Sequence, residues 1–111
     1  MMAQTIFDLQ ADLCRTMANA TRLRIVHRLR ASPAAVGTIA RDTELAQAKV
    51  SQHLAVLRAR GIVVSERQGS ETVYRIAIPK LLRVCDLMRE VLAEQAAERS
   101  RLMQAMRNEN K

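Results

Sequence analysis

"KVSQHLAVLRARG", Lys49 to Gly61, is the stretch that decides the fold. Val50, Leu54, Val56 and Leu57 recur at helical spacing and predict one buried stripe. Lys49, Ser51, Gln52 and His53 crowd its N-terminal end, with Gln47 just upstream, and Arg58 and Arg60 follow at the far end. Gly61 stands where a helix ends in a left-handed residue. A core helix needs the apolar set. The polar set, gathered at one end, has the form of an edge that hydrogen-bonds to something outside the protein.

Upstream, a helical pattern runs from about Thr5 to Met17, with Ile6, Leu9, Leu13 and Met17 on one face. Asn19 breaks it. Thr21 stands before "RLRIVHRLR", in which Leu23, Ile25, Val26 and Leu29 alternate with arginines at helical period. Pro33 in "ASPAA" ends that helix, because it restricts Ser32 and cannot donate a backbone hydrogen bond. A short helix over about Val36 to Asp42 precedes the quoted one, which is expected over about Gln47 to Arg60.

Downstream the chemistry changes. "IVVSERQ" and "ETVYRIA" are β-branched, roughly alternating runs separated by Gly69 and Ser70, which predicts a hairpin. Pro79 then opens a long helix to about Arg107, roughly 40 Å in length. Gln95, Glu98 and Arg99 interrupt its apolar stripe, so the last two turns are expected to fray. A short helix, a turn, an amphipathic second helix and then a hairpin give the layout of a winged helix-turn-helix, mainly α with a β-hairpin wing.

The 111 residues suit one domain with a single modest core. The net charge is +7, and arginine supplies nearly all of the excess, fifteen residues against three lysines. Six arginines and no acid lie between Leu13 and Arg41. Guanidinium forks suit phosphate, so nucleic acid is the leading partner class on charge alone. No apolar run approaches the roughly 18 residues of a membrane span, and no signal peptide opens the chain, so a soluble, cytoplasmic protein without a membrane partner is expected. Catalysis is not expected: there is no glycine-rich phosphate loop and no Ser/His/Asp or Cys/His spacing.

"MANATRLRIVHRL" (Met17–Leu29), "VGTIARDTELAQAKVSQHLAVLRARGIV" (Val36–Val63) and "ERQGSETVYRIA" (Glu66–Ala77) together resemble the ArsR/SmtB family of bacterial transcriptional repressors. The resemblance implies a homodimer with the first helix (about 5–17) and the last (about 79–107) at its interface. It implies that the unit from Val36 to Arg60 meets an inverted-repeat operator in double-stranded DNA and that the hairpin serves as a wing. Three positions depart from the family's habit. Ala20 replaces a usual Pro, Glu44 a frequent Gly and Ala46 a frequent Ser that caps the recognition helix. Ala caps poorly, at a cost of about 1 kcal/mol, unless Thr43 or Glu44 takes over.

A helix in the major groove reads bases with short or forked polar side chains near its N-terminus. Gln47, Lys49, Ser51, Gln52 and His53 fit that description. Arg22, Arg24, Arg67 and Arg75 are phosphate candidates, with Gln68 and Ser70 near the wing tip. The rival reading is a winged-helix module that joins protein complexes without reading DNA. Family members that sense metals carry ligands that this chain lacks: "VGTIARD" has no Cys, and the last helix begins with Ile78 and Lys80 where Asp and His would stand. Cys14 and Cys85 remain. Either both are small buried hydrophobes, or they form a thiol pair suited to a soft metalloid, a disulfide or a polysulfide bridge.

Overall fold

Capping residues set several of the helix boundaries. In the computed structural model, which describes residues 3–109, Thr5 opens α1 (Ile6–Met17) with a capping box. The Thr5 hydroxyl accepts from the Asp8 N–H at 3.1 Å, and the Asp8 carboxylate accepts from the Thr5 N–H at 2.9 Å. That backbone hydrogen bond, then the one from the Thr5 hydroxyl, holds the Asp8 carboxyl below the ordinary carboxylate range. Asn19 proves to be a cap as well as a break: its side chain accepts from the Arg22 N–H at 3.1 Å, so α2 (Ala20–Ala31) begins one residue ahead of Thr21.

The "ASPAA" segment holds more than a helix end. Ala34–Ala35 form a two-residue strand, β1, directly before α3 (Val36–Thr43). Then come α4 (Gln47–Ala59), β2 (Val63–Gln68), β3 (Glu71–Ile76) and α5 (Pro79–Glu109). Both α3 and α4 end in a Schellman motif. In α4, Gly61 takes φ 73, its N–H donates to the Arg58 carbonyl, and the Ile62 N–H donates to the Leu57 carbonyl at 2.9 Å. In α3 the left-handed residue is Glu44, with φ 58, and the Leu45 N–H donates to the Ala40 carbonyl at 3.0 Å. A side chain at this φ costs roughly 1–2 kcal/mol that glycine avoids.

The sheet is antiparallel in the order β1-β3-β2. Val63 pairs with Ile76, Ser65 with Tyr74 and Arg67 with Thr72, while Ala34 pairs with Tyr74 on the other edge of β3. Gly69, with φ 64, takes the first position of the two-residue turn, where a hairpin accepts glycine without strain. Beneath the helices lies the core: Ile25, Val26 and Leu29 of α2, Ile39 of α3, Val50, Leu54 and Leu57 of α4, and Ile62 and Val63. Arginines of α2 lace its edge. Arg24 Nη2 donates to the Thr43 carbonyl at 2.8 Å, and Arg28 pairs with Asp42 at 2.7 Å while also donating to the Ser32 carbonyl.

The described residues form two compact units, one through Ile78 and one from Pro79 onward. The second is α5. Its 31 residues make a helix of about 46 Å, continuous through the polar interruption that was expected to end in fraying. Arg101 and Glu98, three residues apart, pair inside that interruption. Leu81 and Cys85 are buried, whereas Val84, Leu87, Met88, Val91 and Leu92 are exposed.

Candidate nucleic-acid interface

The site is built on α4. Val50, Leu54 and Leu57 are all fully buried, so one face of the helix is anchored. At 3.6 residues per turn the opposite face carries Ala48, Ser51, Gln52, Ala55 and Ala59, and every one of these is exposed. Sequence reasoning found Ser51 and Gln52 but missed the three alanines. Their signal was present in the spacing: small residues at 48, 55 and 59 clear the outer face for close approach to a surface. An alanine methyl also suits the 5-methyl of thymine in the major groove. Lys49 and Gln47 are exposed on the flanks.

Helix α4 begins without a side-chain cap. Ala46 sits in extended geometry, with φ −63 and ψ 136, and no hydroxyl or carboxylate takes its place. Thr43 does not substitute, because its buried hydroxyl donates back to the Ile39 carbonyl at 2.6 Å. The first amide returned into the helix is Val50, which donates to the Ala46 carbonyl at 3.0 Å. The amides of Gln47, Ala48 and Lys49 therefore point out of the helix end without a side-chain acceptor. With the helix dipole behind them, they suit a phosphate.

His53 lies apart from the outer face, turned toward α2 and half-buried. Its Nδ1 accepts from Arg22 Nε at 3.2 Å, which places the imidazole proton on Nε2. Burial first, then the charges of Arg22 and Lys49, push its pKa below the ordinary histidine value of 6.5. Arg22 also donates to the Thr16 carbonyl at 3.0 Å. His53 thus bonds to the neighbouring helix and does not share the outer face with Ser51 and Gln52, and Arg22 and Arg24 direct guanidinium hydrogen bonds into the protein.

On the wing, register separates two arginines that the sequence grouped together. Arg67 shares a face with Ser65, Thr72 and Tyr74, while Arg75 lies on the other face with Val64, Glu66, Gln68 and Glu71. Arg67 Nε reaches the Gly69 carbonyl at 3.4 Å, which holds that side chain at the tip beside exposed Ser70. Arg75 shares its face with two acidic residues, Glu66 and Glu71, which makes that face less basic than the one that carries Arg67. The cysteines differ as well: Cys14 is exposed and Cys85 buried. Among the described residues, no three metal-ligating side chains cluster.

The model of the arsR family of bacterial regulatory proteins matches residues 19–65, from the cap of α2 into β2. The HTH-type transcriptional regulator Rv0081 of Mycobacterium tuberculosis is 31% identical over 108 residues, covering 96% of this chain and 95% of its own. Its crystal structure superposes with a TM-score of 0.77 over 87% of this chain and 98% of that one. The homodimeric winged helix-turn-helix DNA-binding domain Mb0332 of Mycobacterium bovis gives 0.71 at 30% identity, over 85% of this chain and 92% of that one. The transcriptional repressor SmtB of M. tuberculosis is 40% identical over 72 residues, 65% of this chain and 53% of SmtB. An anchored helix preceded by a short helix and followed by a hairpin, matched over nearly the whole length of Rv0081, settles the assignment: this chain belongs to the arsR family of bacterial regulatory proteins and is a winged helix-turn-helix transcriptional regulator, not an enzyme.

Proposed function

We propose that this protein is a homodimeric repressor that binds an inverted-repeat operator, with α4 in the major groove and the wing on the flanking backbone. The outer face of α4 carries the reading. A helix that is merely solvated has no need of three exposed alanines around Ser51 and Gln52, nor of an open N-terminus. In a groove both features help: the alanines allow approach, Ser51 and Gln52 meet base edges, and the amides of residues 47–49 meet phosphate. Gln52 suits adenine N6/N7, and Lys49 suits guanine O6/N7 or a phosphate. Arg67 and Ser70 would track the backbone from the wing tip.

The dimer is supported by what each unit leaves in water. Helix α1 exposes Ile6, Phe7, Leu9 and Leu13, and α5 exposes Val84, Met88, Val91 and Leu92. Apolar surface on that scale marks an association face. A dimer implies half-sites about one helical turn of DNA apart. Control of the repressor would run through thiols, exposed Cys14 of α1 and buried Cys85 of α5, by binding of a soft metalloid or by oxidation. Serine at either position should then abolish effector-driven release while leaving operator affinity in place.

The deciding experiment is a salt titration of binding to DNA from the protein's own upstream region. Gln52→Ala should weaken operator binding by about 1–3 kcal/mol with little change in salt slope. Arg67→Ala should lower the slope by about one phosphate contact and weaken all sequences alike. Binding that stays sequence-blind at every candidate site would overturn the repressor reading in favour of a protein-binding winged helix.

A further inference from the structure

We propose that Arg22 is a positioning residue for the recognition helix, tying His53 of α4 to the end of α1, and that uptake of a proton by His53 releases α4 from its DNA-reading orientation. The proposal rests on the reading of α4 as the DNA-contacting helix and adds a control to it.

Three elements meet at one guanidinium. Arg22 stands in the first turn of α2, held there by the Asn19 cap on its own N–H. Its Nη1 donates to the carbonyl of Thr16, a buried residue in the last turn of α1, where helix carbonyls lack internal partners. Its Nε donates to His53 Nδ1, 31 residues away in sequence. The second bond exists only while Nδ1 carries a lone pair, so it requires neutral imidazole with the proton on Nε2.

A second proton would turn Nδ1 from acceptor to donor and set it against the Nε–H of Arg22. The charged groups facing His53 are Arg22 from α2 and Lys49 from its own helix, and both are cations. From α1 the Thr16 carbonyl accepts from Arg22, and among the described residues no acidic group is seen to act on His53. Protonation therefore loses a hydrogen bond and adds repulsion on both sides. His53 is followed directly by the fully buried Leu54 and preceded by Ser51 and Gln52, so a shift at His53 displaces the reading residues on the same turn.

The sign makes the proposal testable. Acidification adds positive charge and ordinarily strengthens attraction to DNA, whereas release of α4 weakens recognition of a preferred sequence. The tautomer and titration of His53 are read first, by nitrogen-detected NMR of the full-length free protein. A duplex that the protein selects from a random pool, and a scrambled duplex, are then titrated by fluorescence anisotropy from pH 8 to 5.5 at constant salt.

The Nε2–H tautomer is expected at neutral pH. Affinity for the selected duplex should fall as His53 takes up its proton, approaching about tenfold per pH unit for each protomer's His53 and so about a hundredfold for the dimer, while the scrambled duplex holds or tightens. His27→Gln, at an exposed position of α2, should keep that profile, and His53→Gln should flatten it. Arg22→Gln should mix the tautomers, and Arg22→Lys should restore part of the profile; a purely structural role for Arg22 would lower stability without moving either readout. An Nδ1–H tautomer, the same acid loss in His53→Gln, or a preferred duplex bound equally at all pH values would overturn this proposal alone. Failure of the pool to yield any preferred sequence would take the operator reading down with it.

Discussion

Serine in place of Ala46 should stabilise the protein, by an amount that follows from the open start of α4. Ala46 already has the extended backbone of an N-cap residue, with φ −63 and ψ 136, so the substitution asks for no rearrangement. A serine hydroxyl there would accept from the Ala48 or Lys49 amide, and neither has a side-chain acceptor now. Such a cap contributes typically about 1 kcal/mol. Unfolding entropy near 2.1 cal/mol/K per residue gives about 0.23 kcal/mol/K for a chain of this length, so the melting temperature should rise by roughly 4 °C. Thermal melts followed by circular dichroism must hold protein concentration constant, because association shifts the midpoint. Ala46→Val, equally exposed but without an acceptor, should give no gain. If the serine variant melts within about 1 °C of the parent, the amides of α4 already have acceptors and the reasoning fails.

Glu44→Gly should raise the urea midpoint, since relief of the left-handed strain, roughly 1–2 kcal/mol, exceeds the extra unfolded-state entropy of glycine; a lower midpoint would show that the Glu44 side chain makes a compensating contact. Stability should also decline on acidification through the histidine range. The native pKa of His53 lies below its unfolded value of 6.5, so its contribution is complete above pH 6.5 and is lost as pH falls through the native value. Urea melts at stepped pH should show that decline in the parent and a flatter curve in His53→Gln. Leu54→Ala should cost about 2–5 kcal/mol, because Leu54 is fully buried, whereas Ala55→Ser, one residue on, should stay within about 0.5 kcal/mol and act on DNA affinity instead.

Much of this fold is legible because its elements carry strong local signals. The stripe of Val50, Leu54 and Leu57, the glycine at 61 and the Gly69–Ser70 turn each have a physical reason visible in a few residues. What escaped depends on partners distant in the chain. Nothing near Ala34 announces a strand, since its pairing is with Tyr74, forty residues away. His53 reads as a recognition residue by position, and only the packing of α2 beside α4 gives it Arg22. Arg67 and Arg75 look equivalent until register assigns them to opposite faces. The alanines of α4 were overlooked for another reason: hydropathy counts them with the core, although their spacing turns them outward.

The weak start and the strong middle of α4 belong together. Burying Val50, Leu54 and Leu57 stabilises the helix by roughly 1.5–3 kcal/mol per side chain, several times the contribution of the missing cap. Tertiary packing thus keeps α4 helical without help from a side-chain cap at its N-terminus. The end that is unnecessary for stability is the one whose amides stay open, and it adjoins Ser51 and Gln52. A better cap would compete with phosphate for the same N–H groups, and larger side chains at 48, 55 and 59 would hold the reading residues away from the base edges. The open N-terminus that a stability argument would correct is therefore the feature that, on the proposed reading, a groove-binding helix uses.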